Sequence, residues 1–141
     1  MNGKIFVDTN VFIYAHDRDA GEKCSVAAGI MKDLWQTREG IMSTQVLQEF
    51  YVNVTRKIPT PISRSDARNI IGQYSVWNIV GIDTSRIVAA SQIEERHKLS
   101  FWDALIVAAA QSAGAEKILT EDLSHGDNIG GVVIENPFRS F

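Results

Sequence analysis

Cysteine is almost absent from this chain: Cys24 is the only one in 141 residues. A lone thiol excludes an intrachain disulfide and fits a reducing compartment, the cytoplasm. Long apolar runs are missing too. The longest, Ala104 to Ala110, is far too short to span a bilayer, so no membrane association is expected. Asp8 interrupts the N-terminal stretch early, which argues against a secretory leader. No repeat, low-complexity tract or linker divides the sequence, and its length suits one domain, 1–141, with a sizeable core. Positive charge is not in excess, since 14 Lys and Arg face 17 Asp and Glu for a net −3. A nucleic-acid-binding face usually comes with a basic excess. Overall charge therefore gives such a role no support, although acids that hold cations can coexist with basic residues elsewhere.

What is present is organised around Ile5-Phe6-Val7-Asp8-Thr9-Asn10. Three apolar residues with β-branched members mark a strand buried on both faces. The run stops at an acid and two short polar residues that favour helix caps and turns. Val11, Phe12 and Tyr14 then resume at helical spacing. Asp8 thus stands at the carboxyl end of a buried strand, the edge where open α/β sheets bind ligands.

Beyond a loop at 17–21, the periodicity predicts a helix from Glu22 to Arg38, ended by Gly40, and a short strand at Ile41-Met42. Ser43 or Thr44 caps a third helix to about Lys57, with Val46, Leu47, Phe50, Tyr51 and Val54 on its apolar face. Pro59 and Pro61 make a turn, and Ser63 or Ser65 opens a helix to about Tyr74. A third strand is predicted at 77–82, and Asp83 or Thr84 caps a helix to Lys98. Ser100 begins a nearly all-apolar central helix over 101–113, stopped by Gly114. Strands at 117–120 and 132–134 follow, the last after Gly130-Gly131. Five strands separated by helices predict an α/β fold, a parallel sheet with helices on both faces. The helices at 22–38 and 44–57 carry much apolar surface for a small domain. Part of Val26, Ile30, Leu34, Phe50, Tyr51 and Val54 is expected to stay exposed as a partner surface.

Four acids can meet at the edge marked by Asp8. Capping alone would account for Asp8, and for Asp103, because Ser100-Phe101-Trp102-Asp103 resembles a capping box. Yet Asp103 is flanked by large apolar residues, and a buried carboxylate needs partners. Glu49 lies too far into its helix to cap it and sits about 60° from Val46, on the flank of the apolar face. Asp122 follows Ile118-Leu119-Thr120 and so repeats the strand-then-acid arrangement of Asp8, with Glu121 and Asp127 as competitors. Both carboxyl ends lie on one edge of a parallel sheet.

Four segments in this order, Val7-Asp8-Thr9-Asn10, Ser43 to Phe50, Phe101 to Ile106 and Leu119 to Leu123, resemble the PIN-domain nucleases. The order and spacing are most similar to the VapC-type toxins of bacterial toxin–antitoxin modules, as is the ending Gly131 to Phe138. The resemblance implies a metal-dependent endoribonuclease with an acidic pocket for Mg²⁺ or Mn²⁺. By that resemblance Asp8, Glu49, Asp103 and Asp122 are catalytic and metal-binding, and Thr9, Asn10 and Thr120 support the pocket. Many relatives carry a Phe shortly after the fourth acid where this chain has Leu123-Ser124-His125-Gly126, which leaves Asp127 in competition with Asp122. The implied partners are RNA, a VapB-like antitoxin whose tail covers the pocket, and a second copy of the chain in a homodimer.

The chemistry makes sense of these residue types. Phosphodiester cleavage needs a nucleophilic water and stabilisation of charge on the phosphate oxygens. Mg²⁺ takes hard oxygen ligands, keeps several waters and needs only a few carboxylates. Two other readings are open. An aspartyl-nucleophile phosphatase or phosphotransferase would use Asp8, but Asn10 replaces the second acid of its Asp-x-Asp motif. A non-catalytic PIN-like RNA- or protein-binding module would be expected to have lost acids, and here the set is intact. His16, His97 and His125 form no metal-ligand spacing, with His125 the nearest to the site; they read as surface or loop residues. Trp35, Trp77 and Trp102 read as packing residues.

Overall fold

In the computed structural model, which describes residues 3–139, the run Ile5–Val7 is strand β1 and ends where Asp8 caps helix α1 (Thr9–Ala15). A 3₁₀ turn at Arg18–Ala20 leads to α2 (Glu22–Thr37), β2 (Gly40–Ser43), α3 (Thr44–Arg56) and α4 (Arg64–Tyr74). The chain continues through β3 (Asn78–Val80), α5 (Thr84–His97), α6 (Phe101–Ser112), β4 (Lys117–Leu119), β5 (Asn128–Ile129) and β6 (Val132–Glu135). Short polar side chains start every α-helix but α2, each accepting a first-turn N–H, while α2 follows Gly21 with no side-chain cap. Ser43, Ser63, Asp83 and Ser100 are the caps of α3, α4, α5 and α6.

The sheet runs β3-β2-β1-β4-β6-β5, parallel throughout except for the β5–β6 pair. From β1 the chain steps outward to β2 and β3, then crosses back to β4 on the other side of β1. With right-handed crossovers, that reversal places the two helix groups on opposite faces. Accordingly α1 packs on α2 and α3, and α3 on α4, while α5 and α6 pack on each other and α6 on the sheet. Phe6, Val7, Ile41, Met42, Ile118 and Ile134 fill the sheet's interior, and Phe12 stacks on Phe50 at 3.9 Å between ring centroids. Seven successive residues of α6, Ala104 to Ala110, are buried.

Three expectations need correcting. Among the described residues the sheet has six strands, because Gly130 and Gly131, with φ of +59° and +93°, turn a short hairpin between β5 and β6. Two residues of strand are too few to leave an alternating pattern. Second, α2 is ended by Arg38 in the left-handed conformation (φ 62°) rather than by Gly40. Gly40 is instead buried in β2, where an added Cβ would lie 2.3 Å from the Trp77 ring. Third, of the face expected to stay partly exposed, Leu34, Phe50 and Val54 are core, whereas Val26, Ile30 and Tyr51 are only partly buried and keep some exposure. Among the described residues the large apolar side chains most open to solvent stand elsewhere: Val76, Trp102, Val88 and Ile87. Among the described residues no helix is long and apolar enough to cross a membrane.

Candidate active site

The strand order reverses between β1 and β4, and that switch point is where open α/β sheets hold ligands. Val7 pairs with Leu119, so Asp8 and Thr120 emerge side by side, and the Asp8 N–H donates to the Leu119 carbonyl at 3.0 Å. Asp8 is only 4% exposed. Its Oδ1 accepts the Thr9 N–H at 2.7 Å, and its Oδ2 accepts the Thr120 hydroxyl at 2.8 Å. Thr120, fully buried, is the hub: its Oγ1 also accepts from Asn10 Nδ2 at 3.1 Å and from the Asp122 N–H at 3.0 Å. Asn10 Nδ2 reaches Asp122 Oδ2 as well, at 3.0 Å. One hydrogen-bonded chain therefore fixes Asp8 and Asp122 to the ends of neighbouring strands.

Glu49 arrives from the flank of α3. The Thr9 hydroxyl donates to its Oε1 at 2.7 Å, and Gln45, one turn earlier on the same face, reaches its Oε2 at 3.5 Å. Gln45 Nε2 also donates to the Trp102 carbonyl at 3.3 Å, tying α3 to the start of α6, where Asp103 sits in the first turn. Gln45 is a site residue the sequence reading missed. Its position four residues before Glu49 was the available signal, since that spacing places two side chains on one helix face.

Electrostatics bind the four acids together. Burial pushes the Asp8 carboxyl up to about 7; the Thr120 and Thr9 hydrogen bonds oppose this, and the charges of Asp122 and Glu49 add to it. Burial likewise raises Asp103, against a Ser100 hydrogen bond and with Asp122 and Glu49 again adding. Like-charge repulsion is thus real but secondary to desolvation. No Lys, Arg or His among the described residues forms an ion pair with any of the four.

The competing acids fall away from this group. Glu121 is committed to Lys23 Nζ at 2.9 Å and to the Tyr14 hydroxyl at 2.5 Å. Asp127 is exposed in the loop before β5, and it is Asp122 and Glu49 whose charges act on Asp8 and Asp103. His125 accepts the Asn136 N–H through Nδ1, which staples that loop. His16, expected at the surface, is half-buried against Phe12 and Phe50, and burial lowers its pKa. Trp35 and Trp77 pack with Tyr74 as expected, but Trp102 is 62% exposed.

All donors in the pocket are hard oxygens, the set that suits Mg²⁺ or Mn²⁺. No three His, Cys, Asp or Glu side chains among the described residues close around a single point. What supports a fit is the donor chemistry alone: Mg²⁺ keeps several waters and takes only one or two carboxylates directly.

An open, mostly parallel sheet with acids at its switch-point edge, none paired to a basic side chain among the described residues, defines an α/β domain with an acidic pocket. The family follows from sequence: the PIN-domain family model matches residues 5–127, and the chain belongs to that family. No curated protein matches it. Among solved structures it is similar to a toxin–antitoxin complex from Klebsiella pneumoniae, with 21% identity and a TM-score of 0.69, covering 96% of this chain and 98% of that one. It is also similar to Mycobacterium tuberculosis VapC20, described as a sarcin–ricin loop cleaving toxin, with 21% identity, TM-score 0.65 and coverage of 84% and 92%. A third similar structure is DNA-bound VapBC from Salmonella typhimurium, with 18% identity, TM-score 0.66 and coverage of 95% and 98%. At these identities the likeness is one of fold.

Proposed function

We propose that this chain is a Mg²⁺- or Mn²⁺-dependent endoribonuclease, the toxin of a VapBC-type pair. In this reading it acts in the cytoplasm as a homodimer and is silenced by a VapB-like antitoxin. One observation carries the reading: the charges of Asp122 and Glu49 act on both Asp8 and Asp103 at the sheet's switch-point edge, and no basic side chain among the described residues is paired to any of the four. The names of the similar structures, toxins alone or with antitoxins, support the toxin role.

Asp8 and Asp103 would hold the ion directly, with Glu49 and Asp122 acting through water or on a second ion. The ion, when bound, supplies Lewis-acid stabilisation of the phosphate and a more acidic water. The chain's own residues do the positioning. Thr120 and Asn10 hold Asp8 and Asp122 in place, and Thr9 and Gln45 hold Glu49. Asp122 Oδ1, which accepts no hydrogen bond among the described residues, is free to take a proton from the attacking water. An aspartyl-nucleophile mechanism fits poorly, because Asn10 stands where its Asp-x-Asp motif needs the second acid, and the Asn10 amide is engaged with Thr120 and Asp122.

The test is cleavage of total RNA with Mg²⁺ or Mn²⁺, EDTA as the control, and Asp103→Asn alongside. Cleavage should stop with EDTA and fall by roughly 100-fold or more in the variant, the scale of losing one electrostatic stabiliser. Equal, EDTA-resistant cleavage by the folded variant would reject the reading.

A further inference from the structure

An exposed tryptophan stands beside the acidic pocket. Trp102 is 62% exposed, the most open aromatic side chain among the described residues, and it immediately precedes Asp103 in the first turn of α6. Its backbone is fixed: Ser100 caps the helix, and the Trp102 carbonyl accepts from Gln45, which also reaches Glu49. One face of the indole's surroundings is supplied by Phe101, edge-on at 5.2 Å between centroids. A large aromatic surface is thus presented to solvent at a set position relative to two of the four carboxylates.

The surroundings favour nucleic acid over an apolar protein surface. Exposed Arg96, His97 and Lys98 end α5, and Lys98 lies only four residues before Trp102 in the chain. On the other flank of the pocket, a cavity of about 350 Å³ runs from Thr9 and Glu49 along α3 to Lys57. Basic side chains just ahead of α6 and at the end of the groove that starts from Glu49, with an exposed aromatic next to Asp103, are the components of single-stranded nucleic-acid sites, where bases stack and phosphates track the positive charge. Resting on the ribonuclease reading, we infer that Trp102 is a base-stacking platform that holds the nucleotide flanking the scissile phosphate of a single-stranded RNA segment. It acts as a positioning residue for the strand crossing the pocket.

Stacking is sequence-tolerant, because every base has a π-face, and purines stack best by area. The test uses fluorescein-labelled 12-nucleotide oligo(rA) and oligo(rU) with wild-type protein, Trp102→Ala and Trp102→Phe, with Mn²⁺ present. The alanine variant should bind roughly 5- to 150-fold more weakly, the range for one lost base–aromatic stack, with partial recovery in the phenylalanine variant. Oligo(rA) should quench an indole emission component in wild-type protein that is missing from Trp102→Phe. Circular dichroism and melting temperature should be unchanged.

Equal RNA binding and cleavage by wild type and Trp102→Ala would overturn the inference while leaving the ribonuclease reading intact. So would a variant that alters only the sedimentation of the protein, since Trp102 would then serve a protein contact. Wild-type protein that neither binds nor cleaves RNA would remove the ribonuclease reading and this inference with it.

Discussion

Replacing Asp8 with Asn should change how stability depends on pH. Asp8 is almost fully buried, and its pKa rises from 3.8 to about 7 on folding. Between those values the folded chain keeps a proton that the unfolded chain has released. The folded state binds more protons, so stability falls as pH rises through this window and levels off above it. At 1.36 kcal/mol per pH unit the burial costs about 2 kcal/mol at about pH 5 and about 4 kcal/mol at about pH 8. Asn carries no charge and pays none of this. It carries a different, pH-independent cost: its Oδ1 can take the Thr9 N–H, but its amide then faces Thr120 Oγ1. That oxygen already accepts from Asn10 and from the Asp122 N–H. The mismatch is worth about 1–3 kcal/mol, so capping chemistry alone, which treats Asn and Asp alike, understates the change. Stability of the variant relative to wild type should therefore climb by about 2–3 kcal/mol from about pH 5 to about pH 8 in metal-free buffer. Urea unfolding at a series of pH values measures it. Parallel curves over that range would refute the reasoning, because the burial of Asp8 would then carry no proton linkage.

Two further changes probe the frame. Thr120→Val keeps the shape but removes the hydroxyl shared by Asp8, Asn10 and Asp122; it should cost about 1–3 kcal/mol and raise Asp8's pKa further, read by carboxyl NMR titration. Gly40→Ala places a methyl group into the Trp77 ring and should destabilise by about 1–3 kcal/mol, seen as a lower melting temperature with a shift in tryptophan fluorescence.

Most of the fold was legible because every helix but α2, which follows Gly21, announces its start with a capping side chain. At the four caps where two residues competed or one stood alone, the structure uses Ser43, Ser63, Asp83 and Ser100, and the strands end within a residue or two of the apolar runs. The acidic pocket was legible for a related reason: Asp8 and Asp122 each follow a buried strand, and parallel strands share a carboxyl edge. The parts that escaped are those set by tertiary neighbours. Periodicity shows which face of α2 or α3 is apolar but not how completely other elements cover it, so Leu34, Phe50 and Val54 proved to be core. The exposure of Trp102 depends on what packs against the first turn of α6, and no local pattern encodes that. Glu121 and Asp122 are neighbours of one charge type, and only the positions of Lys23 and Asn10 separate them.

The central claim is that four carboxylates form one divalent-cation site. Mn²⁺ titration followed by electron paramagnetic resonance tests it most directly, on wild type, Asp8→Asn, Asp103→Asn and Glu121→Gln at about pH 8, above the raised pKa of Asp8. A saturable site should appear in wild type, weaken steeply in the Asp8 and Asp103 variants, and persist in Glu121→Gln, whose partner is Lys23. Equal Mn²⁺ binding by all four proteins, or none by wild type, would contradict it.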